Sequence, residues 1–177
     1  MLPSAYERGS TIPIYWHNKA SDLLKSAKII WDAIEKSEEG ASFTYSTYLM
    51  LMGMSFEVLL KAHCVAIESE NQIDPLEFKD THNLTEIASK AGLRFDKKVN
   101  KVFSVLTEYV IWNGRYPVPK KENNLTHHTK NIYNSAYDKN NLGEITVFKQ
   151  NDNFSFPNLL KIWRNISDDY LEKYDQA

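Results

Sequence analysis

The stretch from Tyr45 to Ile67 constrains this chain more than any other. Tyr45, Tyr48, Leu49, Met52, Phe56, Leu59, Leu60, His63 and Ile67 recur at steps of three and four. That spacing predicts one apolar stripe along an α-helix of about six turns. A stripe this long must be covered, and the economical cover is other helices. Gly53 lies inside it, where a glycine costs about 1 kcal/mol relative to alanine. The cost is tolerable if another backbone packs closely there. Glu57, Lys61 and His63 interrupt the run from Tyr48 to Ile67, so the stretch is expected to be a core helix and not a membrane span.

The rest of the chain supplies that cover. A first helix is expected from about Asn18 to Lys36, with Ala20, Leu23, Ala27, Ile30 and Ile34 on one face and a turn at Gly40. After the 45–67 helix, Asn71 to Lys79 reads as a connection containing Asp74-Pro75. A short helix over about Leu84 to Ala91 follows, with Thr81 or Asn83 as cap. The next opens on Asp96, presents Val99, Val102, Phe103, Leu106, Tyr109 and Val110, and ends near Asn113. Gly114, able to take positive φ, and Pro117, which pushes Tyr116 out of the α region, explain the stop. Residues 117–153 are polar and rich in asparagine, a long loop or insertion. Within it, "EITVFKQNDNFSF" is expected to form a hairpin with Ile145, Val147 and Phe148 on the first arm, a turn at Asn151-Asp152 and Phe154 to Phe156 on the other arm. "THHTKNIYNSAY" is either a short helix or a lid. A last helix from near Ser155 to about Tyr174 closes the chain. At 177 residues this is one domain, 1–177. The predicted class is all-α, an antiparallel bundle of four to five helices with a small β-hairpin insertion before the last one.

Composition excludes several function classes. A net charge of −2 argues against a whole-surface grip on nucleic acid, though not against a local patch. The patch exists in the sequence. Asp96 to Lys130 holds seven Lys/Arg against three acids, and Asn165 to Ala177 holds four acids against one lysine. Cys64 is the only cysteine, so no intramolecular disulfide forms. The opening "MLPSAYERGS" carries neither the basic nor the apolar region of a secretory signal, which points to the cytosol. The five histidines have no helical metal spacing, and no metal or cofactor is expected. Phosphate loops, dinucleotide fingerprints and nucleophile elbows are all missing.

A few polar residues stand out at helix faces and ends. Glu57 and Lys61 are four apart, which alone stabilises a helix by about 0.2–0.5 kcal/mol. Gly53, one turn earlier on the same column, would let a partner approach Glu57, and Arg115 is the expected partner. His82 opens the short helix, where it either packs or points into a polar cleft as a proton donor or ligand contact. Arg115 is a planar fork donor suited to phosphate or carboxylate, and Tyr116 beside it offers a stacking face. His127 and His128 are adjacent in the long loop.

Three segments carry a resemblance to the HEPN-like superfamily. "SFEVLLKAH" (Ser55–His63) resembles the family's E-x-x-L-K segment. "THNLTEIASKAGL" (Thr81–Leu93) is similar to its G-H-x-L segment, with Thr81 where glycine is commoner. "WNGRYPVP" (Trp112–Pro119) resembles its R-Y-P segment. The resemblance spans about Tyr45 to Pro119. It implies a bundle of four or five helices, often a homodimer with a cleft between subunits, working in toxin–antitoxin, phage-defence or RNA-processing systems. Some members cut RNA; others bind nucleotides or partner a nucleotidyltransferase. The RNase members use an arginine, then four to six residues, then a histidine. Here Lys120, Lys121 and Glu122 follow Arg115 at roughly that spacing, and the next histidine is His127.

The leading expectation is therefore a domain without the usual RNase motif that binds a nucleotide, RNA or a protein partner. Arg115 would contact phosphate, Tyr116 would stack, and Glu57, Lys61 and His82 would line the cleft. One alternative is a metal-independent endoribonuclease in which His127 or His128 folds back toward Arg115. The other is a purely structural dimerisation module that uses exposed aromatics such as Trp16, Trp31 or Trp163.

Overall fold

A computed structural model describes residues 4–71, 80–143 and 145–174. The connection expected over 71–79 lies, from residue 72 on, outside the described residues. Within them the chain forms helices α1 (Ala5–Thr11), α2 (Pro13–Glu35), α3 (Tyr45–Asn71), α4 (Leu84–Lys90), α5 (Lys97–Glu108), α6 (Glu122–Ala136) and α7 (Phe156–Tyr174). Two strands, β1 (Tyr137–Leu142) and β2 (Ile145–Gln150), sit between α6 and α7. The class is all-α with a two-stranded insertion before the last helix. Seven α-helices stand among the described residues where four to five were expected.

The two extra helices escape an apolar-stripe reading for physical reasons. Helix α1 buries no residue; a capping box holds it, in which the Ser4 hydroxyl accepts from the Glu7 amide at 3.1 Å and the Glu7 carboxylate accepts from the Ser4 amide at 2.5 Å. Helix α6 turns a polar face inward, since its buried residues are His128, Ser135 and Ala136.

Helix α3 is the axis of the bundle, and α2, α4, α5 and α7 pack around it. Tyr48, Met52, Phe56, Leu59, Leu60, Phe103, Leu106 and Leu159 are fully buried along it. One buried hydroxyl ties three helices: Ser55 Oγ donates to the Ala20 carbonyl at 2.7 Å and accepts from Trp163 Nε1 at 2.9 Å. The 3₁₀ turn plus α3, Ala41–Asn71, is long and apolar enough to cross a membrane by length and composition, and most of its apolar window is buried inside the bundle. Cys64 lies on this helix at 3% exposure, and burial pushes its thiol up to about 12.

The hairpin exists, but its arms differ from the expected ones. Residues Ile145–Gln150 form the second arm and pair antiparallel with Tyr137–Leu142, from Tyr137 opposite Gln150 to Leu142 opposite Ile145. Gly143, at φ 65°, takes the turn that Asn151-Asp152 was expected to make. Phe154 and Phe156, expected on the other arm, are instead buried at 5% and 6% exposure beneath the start of α7. Burying two rings outweighs pairing them in an exposed strand.

Helix α5 ends in a π-turn, Tyr109–Asn113, with the Gly114 amide donating to the Tyr109 carbonyl at 3.0 Å. The positive φ expected at Gly114 is not found: its φ is −80°. The glycine is required for another reason. A Cβ there would sit 2.3 Å from Met50 Cβ on α3. Gly53 is the matching feature on α3, where a Cβ would lie 2.6 Å from Val110 Cγ2 and 3.0 Å from the Leu106 carbonyl oxygen. The backbone approach expected at Gly53 is thus present, and it draws the end of α5 down onto α3.

Candidate functional site

The close seam between α3 and the π-turn sets the position of the polar residues. Glu57 lies one turn beyond Gly53 on α3, and Arg115 directly follows Gly114. Glu57 is 7% exposed and Lys61 5%. Lys61 Nζ donates to Glu57 Oε1 at 2.8 Å. His82, in the segment before α4, brings Nδ1 to 3.0 and 3.1 Å from the two Glu57 oxygens. An ionised carboxylate only accepts, so Nδ1 carries the proton and Nε2 is left for other partners. The His82 side chain is about half exposed. Asn83 caps α4 by accepting from the Thr85 and Glu86 amides, which frees His82 from that task.

Met54, Glu57, Val58, His82, Val110 and Arg115 line one small cleft of about 120 Å³. Residues from three distant segments meet there. The Arg115 guanidinium donates to the Ile111 carbonyl within the π-turn and lies 5.5 Å from the Tyr116 ring centroid. It forms no ion pair among the described residues, so the Arg115–Glu57 contact expected from the sequence is replaced by Lys61 and His82 on the carboxylate. Lys61 and Tyr116 were expected to belong to the site as well. Lys61 does not line the cleft and reaches it only through Glu57. Tyr116 also lies outside the lining and is 55% exposed beside Arg115.

His127 and His128 do not fold back toward Arg115 to complete a site. They lie on α6 and both direct Nδ1 to Glu108, His127 at 3.0 Å. His128 is buried, accepts at Nε2 from the Asn113 side-chain amide at 2.6 Å, and meets Tyr109 and Trp112 edge-on. Burial opposes ionisation of Glu108, but hydrogen bonds from His128 and Asn131 overcome it and hold its pKa below the usual carboxylate value. This cluster pins α6 to the end of α5. Sequence reasoning missed Glu108 and Asn131 because neither belongs to an apolar stripe or a motif. No group of three or more His, Cys, Asp or Glu among the described residues could hold a metal ion.

Compared with protein-family models, with curated proteins and with solved structures, this chain matches none at a significant level.

Proposed function

We propose that the Glu57–His82–Arg115 cleft recognises the phosphate of a nucleotide or RNA, in a HEPN-like helical domain without the usual RNase spacing. The convergence of these three residues on one cleft, with a guanidinium that has no carboxylate partner among the described residues, is the observation that supports it. Lys61 offsets the Glu57 charge, so an approaching anion meets Arg115 and the His82 ring without a bare carboxylate behind them. At about 120 Å³ the cleft is well below the roughly 300–1,000 Å³ of sites that enclose a whole drug-sized ligand. It fits a phosphoryl group and leaves the base outside, where Tyr116 offers an exposed ring. In this reading the domain acts in the cytosol as a homodimer or with a protein partner such as a nucleotidyltransferase, in a toxin–antitoxin, phage-defence or RNA-related system. Titration of nucleotides and short RNAs by calorimetry tests it. Arg115→Ala is expected to weaken binding by about 10- to 100-fold, the value of charge-assisted hydrogen bonds. Equal binding by wild type and variant refutes the reading.

His82 supports a second reading, ribonuclease chemistry. Its Nδ1–H is held by Glu57 while Nε2 remains for proton transfer. Nε2 would take the 2′-hydroxyl proton as that oxygen attacks the neighbouring phosphorus to give a 2′,3′-cyclic phosphate, and the leaving 5′-oxygen would take a proton from water, with Arg115 beside the growing charge. The same RNAs, run on a gel after incubation, decide between the readings. Cleavage lost in His82→Ala favours catalysis; intact RNA with wild type ends it.

A further inference from the structure

We propose that the groove between the start of α5 and the base of the hairpin binds single-stranded nucleic acid, at a surface separate from the Glu57–His82–Arg115 cleft. Three open concavities of about 410, 420 and 260 Å³ adjoin there. The first shares Lys101, Asn134 and Asp138 with the second, and Lys98 and Asn153 with the third, so they run as one trough. A trough of linked concavities suits a strand better than a compact ligand.

Its charge is positive and unspent. Lys97, Lys98, Lys101, Lys139 and Lys161 line it, and none of them forms an ion pair among the described residues. The two acids in the lining are already engaged: Asp96 accepts from the Val99 amide at 2.8 Å, and Asp138 accepts from Asn151 Nδ2 at 3.1 Å.

Aromatic rings flank the same trough. Tyr137 lines it and stacks on Tyr133, with ring centroids 5.2 Å apart and 25° between planes. Phe148 meets Tyr133 edge-on, and Lys139 Nζ lies 5.6 Å from the Phe148 centroid. Tyr133, near the end of α6, is 51% exposed, and Phe148 is 46% exposed on a hairpin whose second strand is exposed along its length. Lysines that follow a backbone and rings that accept unstacked bases are the two parts of a single-strand surface. A duplex hides its bases from such rings, and an acidic peptide gives the rings no role. The trough and the cleft lie at opposite ends of α5, whose 12 residues span about 18 Å, so the two surfaces can be separated by mutation.

Fluorescence anisotropy with labelled oligouridylate and oligothymidylate over a salt series tests the proposal. Wild type is expected to bind both, with affinity falling as salt rises. Lys97→Glu/Lys98→Glu/Lys101→Glu should weaken binding at least about tenfold and flatten the log–log salt slope by about 2, at roughly 0.7 per phosphate contact. The milder Lys→Gln triple, which leaves these exposed positions uncharged, should do the same to the slope. Phe148→Ala should cost about tenfold at every salt concentration. Both triple variants should bind mononucleotides at the Glu57–His82–Arg115 cleft as wild type does, since none of the three lysines lines it. Three results overturn the proposal: no binding by wild type, unchanged binding by both triple variants, or equal competition from polyglutamate, which would make the trough a dock for acidic protein. Loss of oligonucleotide binding in Arg115→Ala alone would assign it to the cleft instead.

Discussion

Glu57 is a carboxylate in the packed middle of α3, and Lys61 and His82 both reach it. Breaking such a pair leaves a buried charge uncompensated, which costs about 3–5 kcal/mol. Lys61→Met should therefore lower stability by up to about that amount in urea unfolding, and by less where His82 keeps its hold on the carboxylate. Adding Glu57→Gln should recover part of the loss, because the stranded charge disappears with it. A single variant as stable as wild type would show that the pair is solvated. The i,i+4 spacing of this pair was legible in the sequence. His82 was expected in the same cleft, but its contact with Glu57 was not, since His82 is 25 residues away and only the packing of α4 against α3 brings it to the carboxylate. The Arg115–Glu57 contact failed for a related reason: spacing along α3 says which column is open and leaves the occupant unspecified.

Among the elements, the α3–α5 seam governs the site. Gly53→Ala gains about 1 kcal/mol of helix propensity but drives a methyl into Val110 and the Leu106 carbonyl, an overpacking cost of about 1–3 kcal/mol. The expected result is a lower melting temperature together with weaker nucleotide binding, as the π-turn and Arg115 are pushed off α3. Gly9→Ala is the control: it lies in α1 with open space around it and should be neutral or stabilising in the same melts. Helices α3, α5 and α7 were legible because each buries a continuous apolar stripe. Helix α1 depends on capping, and α6 on the His128–Glu108 contact, so neither left that signal. The hairpin was legible as a hairpin but shifted by one arm, because Phe154 and Phe156 read equally well as strand or as core.

The molecule as a whole should weaken in acid, from buried His63 and half-buried Glu108. Burial lowers the His63 pKa from 6.5, against an opposing hydrogen bond from its Nε2 to the Ile166 carbonyl at 3.0 Å. With the folded value depressed, the unfolded chain takes the proton first, so the stability tied to neutral His63 is full above about 6.5 and lost as pH falls. Glu108 is also depressed, from 4.5, so its contribution holds above that value and goes at lower pH. Urea midpoints should decline first below pH 6.5 and again below 4.5. His63→Gln should flatten the first decline alone; an unchanged profile would assign that step elsewhere. Cys64 adds a means of watching such transitions. Its sulfur is sealed between α3 and α4 and holds its proton far past neutrality, so a thiol reagent finds nothing to alkylate while the helices stay together. Each labelled chain is then the record of one moment at which the bundle came apart, and the protein carries its own counter of breathing without an engineered probe.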